Sequence, residues 1–341
     1  MRAAIYNPYL DTLGGGERYT LTFARVLANI GYRVDVEWKD KSIVQKIESR
    51  FGLKLDGINI IENINRGDSY DLCFWVSDGS IPTLKARNNI LHFQVPFRDV
   101  NGKSLLNKMK LFRINKVVCN SEFTKQFIDK EYGVRSVVLY PPVPVDQIKP
   151  KRKENIILYV GRFSQLTQSK RQDVLIECFK KLYKRGLRDW KLVLVGGIEV
   201  GAEGYLNELK ASIKNYPIQT VESPSFEELK SYYGKAKIFW SASGYGVNEE
   251  KRPDRVEHFG ITVVEAMAAG CVPVITNKGG HRETVHENEN GLLWERKKEL
   301  LRKTREIINN PKILFRLSSQ AKIASKKFDH ASFHSEIEKI L

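Results

Sequence analysis

Short apolar runs alternate with longer amphipathic segments along the chain, and this alternation limits the fold more than any other feature. Near the start, RAAIYN (residues 2–7) precedes the helical pattern ERYTLTFARVLANIG (17–31), and the alternating run YRVDVEW (32–38) follows. Such an order is typical of parallel sheets, because a helix must carry the chain back before the next parallel strand begins. The pattern therefore predicts a βαβ unit at the start of an α/β protein.

A proline-rich segment divides the alternation into two halves. YPPVPVDQIKPKRKEN carries four prolines and a basic cluster, which predicts an extended linker near residues 141–154. A second series follows, with the strand NIILYVGRF, the helix RQDVLIECFKKLYKRG and the strand WKLVLVGG. We therefore predict two Rossmann-like domains, residues 1–144 and 145–325, which face each other across a cleft at the carboxyl ends of their strands.

The chain is strongly basic, with 56 Lys and Arg against 40 Asp and Glu and a formal charge of +16. Such a surplus favours polyanionic partners: nucleic acid, an anionic membrane surface or phosphorylated ligands. A basic nucleic-acid-binding protein without catalysis is therefore one hypothesis. No RRM, KH or zinc-finger pattern supports it, and acidic residues are interspersed through most of the chain, so no nucleic-acid partner is expected.

One basic segment is also amphipathic. SLLNKMKLFRINK (104–116) places Leu105, Met109 and Phe112 at helical spacing, with basic residues elsewhere on the helical wheel. We favour a helix that faces the core and exposes a basic face, and a helix that lies on a membrane surface is the alternative.

Cysteine usage and the apolar runs indicate a cellular compartment. The four cysteines stand alone in apolar runs without CxxC spacing, which predicts buried, reduced thiols. The start, MRAAIYNPYL, has no signal-peptide core, and Glu265 and Pro273 interrupt the longest apolar run. We therefore predict a cytoplasmic protein without a membrane span, at most peripheral on the inner face of the membrane.

The most specific segment is RVEHFGITVVEAMAAGCVPVITNKGGHRETV (255–285). Glu257 lies in the loop before a predicted helix, and Glu265 lies eight positions later, inside that helix. A helix that opens at FGIT directs the unpaired amides of its first turn and the positive end of its dipole outward. This arrangement predicts an anion site that can hold a diphosphate.

These residues resemble the donor-site signature of the retaining family 4 glycosyltransferases (glycosyltransferase group 1 type) with the GT-B fold. The shared features are two glutamates separated by seven residues, the EHFGIT lead-in and the EAMAAG helix. Other segments resemble the family's motifs in the same order: GGGERY, CNSEFT and YPPV in the first half, then GRF…KRQDVLI, KGGHRETV and ENENGLLW. The resemblance covers nearly the whole chain.

The resemblance implies roles for the charged residues. Arg162 and Lys170 match the pair that holds the nucleotide diphosphate, where fixed cations stabilise a leaving group that gains negative charge. Glu265 matches the glutamate that binds the ribose hydroxyls, and Glu257 the one nearer the transferred sugar. Glu257, Arg162 and Lys170 are thus predicted to be catalytic. The Arg-to-Lys separation is longer than is common in the family and Arg171 follows Lys170, so one of these neighbours is alternatively a solvated loop charge.

The implied donor site also includes backbone groups and a loop of the first half. Four consecutive residues would line the phosphates: Phe259, Gly260, Ile261 and Thr262. The family often places a His near the donor sugar, in a loop that ends with proline. In LHFQVPF, Gln94 stands at that position and His92 two residues earlier. Both are candidates for a sugar contact, and closure of a turn is the alternative for each.

The glycine run in LGGGERY lies between the first strand and the first helix. Bare backbone lets a phosphate or an acceptor approach closely, so Gly15 and Gly16 are predicted donor contacts. A plain role as turn and helix cap is the alternative. A Rossmann oxidoreductase is a further hypothesis, but GGGERY lacks the GxGxxG spacing that a dinucleotide needs.

The implied reaction moves a hexose-type sugar, with retention, from a UDP- or GDP-sugar to a hydroxyl of a glycan or lipid-linked acceptor. The donor is a substrate, and neither a cofactor nor a metal ion is expected, because no DxD triplet occurs and protein cations substitute for Mg²⁺. The acceptor attacks from the face that the nucleotide leaves, and the departing phosphate takes its proton. Covalent double displacement remains the alternative. In the family the terminal helix, here 326–341, packs back on the N-terminal domain.

Overall fold

The computed structural model describes residues 1–165 and 169–341, which form two compact units. The first unit comprises Met1–Pro142 and His330–Leu341, and the second comprises Val143–Asp329. Each unit contains one sheet, and all strand pairs in both sheets are parallel. The prediction of two Rossmann-like α/β domains is therefore confirmed.

The first unit is built on a seven-stranded sheet with the order β3-β2-β1-β4-β5-β6-β7. Its strands are β1 (Arg2–Tyr6), β2 (Arg33–Glu37), β3 (Ile58–Ile61), β4 (Leu72–Val76), β5 (Asn88–Phe93), β6 (Lys116–Cys119) and β7 (Val137–Val138). Its first four helices are α1 (Gly15–Asn29), α2 (Ile43–Phe51), α3 (Leu105–Leu111) and α4 (Glu122–Tyr132).

The second unit is built on a six-stranded sheet with the order β10-β9-β8-β11-β12-β13. Its strands are β8 (Glu154–Val160), β9 (Lys191–Gly196), β10 (Ile218–Glu222), β11 (Ala236–Ser241), β12 (Val272–Thr276) and β13 (Leu292–Trp294). Its helices are α5 (Gln172–Lys184), α6 (Glu203–Ser212), α7 (Phe226–Lys235), α8 (Ile261–Ala268), α9 (His281–Thr284), α10 (Lys297–Asn309) and α11 (Pro311–Ser325).

Local sequence signals define several helix ends. The Ser121 hydroxyl accepts a hydrogen bond from the Thr124 amide at the start of α4, and Gly133 ends that helix in a left-handed conformation. Gly31, just beyond α1, has φ +94°. Glycine adopts this conformation without the steric cost that a Cβ atom brings. The Ser cap and both glycine stops are as the sequence predicts.

Each sheet has one position at which the strand order reverses. β1 lies between β2 and β4, and β8 lies between β9 and β11. In open parallel sheets, ligands bind beyond the carboxyl ends of the strands at such a position. The glycine run follows β1, and Arg162 follows β8. Each unit therefore carries a predicted site segment at its own switch point.

The last helix, α12 (His330–Ile340), belongs to the first unit. It buries Phe333, Ile337 and Ile340 in the core there, and the Phe333 ring meets the Tyr19 ring edge-on at 5.2 Å. Residues 326–328 form a 3-10 turn within the second unit. The observed boundaries thus fall after residues 142 and 329, where the sequence predicted 144 and 325.

The core-facing orientation predicted for the basic helix is wrong. α3, all of which the structure describes, contains no buried residue. Leu105, Met109 and Phe112, the side chains expected in the core, are 76%, 62% and 91% exposed. Spacing showed that these residues share a face, but the direction of that face depends on tertiary packing.

All four cysteines are buried and unpaired, which confirms the prediction of buried thiols. Within residues 1–165 and 169–341, every helix is too short or too polar to cross a bilayer.

Candidate functional site

The glycine run forms the N-terminal end of α1. Gly14 is the residue before the helix, and its amide donates to Oε2 of Glu17 over 2.7 Å. The Thr12 hydroxyl donates to the same oxygen, also over 2.7 Å. Glu17 thus satisfies groups at the start of the helix and places a carboxylate beside the positive end of the dipole. Turn and cap is an observed role of this run.

Gln94 packs directly on the second glycine of α1. Its Nε2 donates to the Gly16 carbonyl over 3.1 Å, and a Cβ atom on Gly16 would lie 2.0 Å from Gln94 Oε1. A side chain at position 16 would therefore displace that amide. Gln94 is half-buried. The structure brings Gln94 and Gly16 together within the first unit, and their contact with a donor, like that of Gly15, stays a prediction.

His92 is a core residue, which corrects its prediction as a candidate sugar contact. Its side chain is fully buried in β5, and its ring stacks on those of Tyr19 and Phe74 with centroids 4.4 and 5.2 Å away. Burial lowers the pKa of His92 to about 3, and the backbone of Val118 offsets this only in part. A neutral ring without exposed surface cannot reach a sugar in this conformation.

In the second unit, the predicted anion site is the start of α8. Gly260 precedes the helix with φ +97°, and its carbonyl accepts from the amides of Val263 and Val264. Among the described residues, no acceptor contacts the amides of Ile261 and Thr262. Both residues are half-buried. The first turn of α8 therefore offers two open N–H groups at the positive end of a helix dipole.

Phe259 contributes packing rather than a ligand contact from its side chain. The side chain is 3% exposed, and its ring meets the Phe328 ring edge-on at 5.1 Å. The predicted donor contact of Phe259 stays a prediction.

Glu257 and Lys170 form an ion pair beside this helix start. Lys170 Nζ donates to Glu257 Oε2 over 2.8 Å, and the side chains are 14% and 20% exposed, respectively. The Ser243 hydroxyl donates to the same oxygen over 3.2 Å. A Cβ atom on Gly260 would lie 3.5 Å from Glu257 Cγ, so the carboxylate side chain borders the residue that opens α8.

The environment keeps Glu257 ionised. Burial raises its pKa, but the positive charge of Lys170 and its hydrogen bond, together with His281 and His258, outweigh that effect and bring the pKa to about 2. A carboxyl group with this pKa is an anion at neutral pH. It can accept hydrogen bonds, but it cannot serve as a general acid.

The two neighbouring cations at 170 and 171 have separate surroundings. Arg171 donates from its Nη2 to Asp173 over 3.0 Å and from its Nη1 to the Tyr245 carbonyl over 3.1 Å. It therefore anchors the start of α5, whereas Lys170 contacts Glu257. Arg162 is 58% exposed and lies 3.5 Å from Glu199. Residues 166–168, in the long segment between Arg162 and Lys170, lie outside the described residues.

The KGGH loop packs on the backbone that carries Glu257. The Gly280 amide donates to the Glu257 carbonyl over 2.8 Å. Cβ atoms on Gly279 and Gly280 would lie 2.2 Å from the Glu257 oxygen and 2.1 Å from the His258 oxygen, respectively. Only glycines allow this approach, because both distances are far below van der Waals contact. In the sequence this loop resembles a family motif, and no role was predicted for it.

His281, next in the loop, is another site residue without a predicted role. It is fully buried, and its Nδ1 lies 3.0 Å from the Thr276 carbonyl oxygen. Because a carbonyl only accepts, Nδ1 carries the proton. Burial lowers the pKa of His281 to about 4, although Glu257 opposes the shift. The imidazole is therefore neutral at neutral pH and close enough to Glu257 to interact with its charge.

Glu265 is buried inside α8, and a tyrosine binds its carboxylate. The side chain is 3% exposed, and the Tyr233 hydroxyl donates to Glu265 Oε2 over 2.8 Å. Tyr233 lies on α7 and is itself fully buried. Tyr233 was not predicted as a site residue, since nothing in the spacing of SYYGKA shows which aromatic residue faces α8.

A family model and curated relatives match the chain. Residues 145–324 match the model described as glycosyl transferases group 1. An uncharacterized glycosyltransferase of Methanocaldococcus jannaschii is 28% identical over 216 residues, 63% of this chain and 55% of that protein. A GDP-Man:Man(3)GlcNAc(2)-PP-Dol alpha-1,2-mannosyltransferase of Neurospora crassa is 28% identical over 200 residues, 49% of this chain and 34% of that one. The matches span about half or less of these relatives.

Solved structures share the fold. A glycosyltransferase from Rickettsia africae superposes with a TM-score of 0.80 at 21% identity, over 99% of this chain and 97% of that one. Anabaena Alr3699/HepE, in complex with UDP and glucose, gives 0.77 at 18% identity, over 100% and 99%. These likenesses confirm the predicted GT-B class of fold.

Proposed function

Because the chain belongs to the glycosyl transferases group 1 family, we propose that it is a retaining, metal-independent glycosyltransferase of family 4. In this proposal a hexose-type sugar moves from a UDP- or GDP-sugar to a hydroxyl of a glycan or lipid-linked acceptor. One observation carries the proposal: the Lys170–Glu257 pair lies beside the open amides of Ile261 and Thr262.

The diphosphate of the donor would occupy the start of α8. The amides of Ile261 and Thr262 would donate to its oxygens, and Lys170 and Arg162 would supply positive charge. Negative charge builds on the leaving phosphate as the sugar bond breaks, and fixed donors stabilise it without reorganisation. The exposed Arg162–Glu199 pair, 3.5 Å apart, costs little to break, since such pairs contribute little to stability.

The transfer step itself would need no nucleophile from the protein. The acceptor hydroxyl bonds to the anomeric carbon on the face that the phosphate leaves, the carbon–oxygen bond to phosphate breaks, and the phosphate oxygen takes the hydroxyl proton. The Glu257 carboxylate, which is held ionised, would accept a hydrogen bond from the transferred sugar. Covalent double displacement remains the alternative course.

Glu265 would bind the ribose of the donor nucleotide. A buried carboxylate is costly unless hydrogen bonds satisfy it, and Tyr233 supplies one of these bonds. Two ribose hydroxyls would supply further donors. Tyr233 would then act as a positioning residue that directs the carboxylate of Glu265.

Tyr233→Phe is expected to weaken donor binding about tenfold, because a hydrogen bond to a charged acceptor is lost. Titration calorimetry with the donor nucleotide measures this effect, and Tyr232→Phe, a half-buried neighbour, is the control. The loss should shrink for a 2′-deoxy nucleotide. An equal loss for both nucleotides would indicate that Tyr233 only supports the fold.

The names of relatives suggest which donor and acceptor to test first. The name of the Neurospora crassa relative specifies GDP-Man and a PP-Dol-linked acceptor. We therefore propose GDP-mannose as the first donor and a lipid-linked glycan as the first acceptor. The proposed place of action is the cytoplasm, at the inner face of a membrane.

A panel of UDP-, GDP- and ADP-sugars tests the donor site. One donor class is expected to raise the Tm and to release its nucleotide when an acceptor is added, and EDTA should change neither result. Arg162→Ala should remove the Tm shift, because it removes a cation from the diphosphate site. Arg302→Ala, an exposed arginine on α10, should keep the shift.

Two results would contradict this proposal. If no sugar nucleotide raises the Tm while nucleic acid binds tightly and with strong salt dependence, the chain is a nucleic-acid-binding protein. If donor binding or transfer strictly requires Mg²⁺, the cations of the protein do not replace a metal ion.

A further inference from the structure

Four large apolar side chains of the first unit lie together on the surface at α3. Leu105, Leu106, Met109 and Phe112 are 76%, 61%, 62% and 91% exposed. Single exposed apolar residues are ordinary, but a contiguous group is uncommon on a protein that meets only water. We call these four residues, together with the flanking Lys108 and Lys110, the α3 surface.

The order of residues around α3 is that of an interfacial helix. At about 100° per residue, the four apolar side chains share one stripe about 120° wide. Lys108 lies at one edge of the stripe and Lys110 at the other. The stripe is therefore bordered by a cation on each side.

Packing fixes the direction of this stripe. Leu111, on the opposite side of α3, is half-buried and packs against a core cluster that contains Phe93 and Tyr132. The Ser104 hydroxyl accepts from the Asn107 amide and caps the helix. The helix is thus anchored by its inner side, and the apolar stripe must face outward.

The chain segment that contains the stripe is strongly basic. Residues 98–117 contain six basic residues (Arg98, Lys103, Lys108, Lys110, Arg113 and Lys116) and one acidic residue, Asp99. Asp99 already pairs with Arg98 at 3.2 Å. Among the described residues, Lys103, Lys108, Lys110 and Lys116 have no ion-pair partner. Their charge is available to an anionic surface.

An apolar cavity lies near the end of α3, on the side of the helix that carries Leu111. It has a volume of about 400 Å³ and is lined by Leu111, Ile114, Val134 and Val137, with Lys116 and Arg135 also in its wall. Apolar walls combined with cations suit a molecule that has a hydrocarbon part and an anionic part, as a lipid has.

We propose that the α3 surface docks the protein on an anionic lipid bilayer. The apolar stripe would enter the boundary between headgroups and acyl chains, and the lysines would lie among the lipid phosphates. This inference extends the proposed function by locating the membrane contact on the first unit. Lipid binding needs neither donor nor acceptor, so it can be measured whether or not the proposed transfer occurs.

Sedimentation with lipid vesicles tests the α3 surface in the full chain. Wild-type protein is expected to bind vesicles that contain phosphatidylglycerol, more weakly at high salt, and to bind phosphatidylcholine vesicles poorly. Leu106→Gln with Phe112→Gln should weaken binding at least about tenfold, because two apolar groups no longer leave water. Lys108→Glu with Lys110→Glu should do the same by reversing the flanking charge.

A matched control exists on the second unit. Phe315 and Ile323 on α11 are 75% and 61% exposed, and Phe315→Gln with Ile323→Gln should leave vesicle binding unchanged. All variants should keep the wild-type Tm, since only exposed side chains change. Vesicle binding that is unaffected by the α3 variants would overturn the proposal. A dimer that the α3 variants dissociate, without effect on vesicle binding, would instead make this face an interface between copies and would also overturn it.

Discussion

Replacing Lys170 by alanine is expected to lower kcat/KM for sugar transfer by about 100- to 1000-fold, because the leaving diphosphate loses a fixed cation. The same change leaves Glu257, whose side chain is 20% exposed, without the ion-pair partner that lies 2.8 Å away. Steady-state kinetics with the stabilising donor measures the loss.

Arg171 is the matched control, since it stands next in the chain and carries the same charge. Its guanidinium binds Asp173 and the Tyr245 carbonyl instead of Glu257. Arg171→Ala should therefore lower the Tm. At a temperature where the variant is folded, its activity should stay close to that of the wild type. If the two substitutions reduce kcat/KM equally, the diphosphate does not depend on Lys170 in particular.

The pH dependence gives a second reading of the Lys170 substitution. Glu257 has a pKa of about 2, below the ordinary 4.5. Its charged form therefore stabilises the fold at every pH above the ordinary pKa. That contribution disappears as the pH falls from the ordinary value through 2. Without Lys170 the effect of burial remains while the main attraction is gone, so the pKa of Glu257 must rise. The activity that Lys170→Ala retains should accordingly fall at a higher pH than that of the wild type.

Gly280→Ala is expected to lower kcat/KM about 100-fold, because displacement of a site by about 1 Å has effects of this size. The added Cβ atom would lie 2.1 Å from the His258 oxygen and 2.7 Å from the Phe259 Cα. Both neighbours are backbone atoms, so the segment that carries Glu257 must shift. Overpacking of this kind also lowers the free energy of unfolding by about 1–3 kcal/mol.

Gly204→Ala provides the comparison for Gly280→Ala. Gly204 lies in α6, and no described atom comes within 4 Å of a Cβ atom placed there. Alanine should raise the free energy of unfolding by about 0.5–1 kcal/mol at such a helical position, and activity should not change. Thermal melts measure the change in stability of both variants, and steady-state kinetics measure the change in kcat/KM. Wild-type activity in Gly280→Ala would show that the KGGH loop and the segment that carries Glu257 can move apart without effect on the site.

The sequence predicts most of the fold because its signals there are local. Alternating strand and helix patterns determine a parallel sheet in each half, and residues such as Ser121 and Gly133 determine where helices end. The signal for the predicted anion site is local too, since Gly260 and the helix start are adjacent in the chain.

The features that the sequence did not predict depend on contacts between segments that are distant in the chain. His92 lies on an interior strand of a parallel sheet, where helices can cover both faces, so alternation does not tell which side chains are exposed. Its neighbour Gln94 meets Gly16 across 78 residues, and Tyr233 meets Glu265 across 32. Pattern along the chain carries no information about such pairs. The outward stripe of α3 has the same origin, because helical spacing fixes a face but not its direction.

The placement of α12 sets an order of events during synthesis. The core of the first unit includes Phe333, Ile337 and Ile340, although the rest of that unit ends at Pro142. Val143–Asp329, by contrast, is one continuous stretch that contains its whole sheet. On the ribosome the second unit therefore has all its residues while the first still lacks a helix. The domain that is translated first is the domain that is completed last, and until then its α12-binding surface remains open to chaperones and proteases.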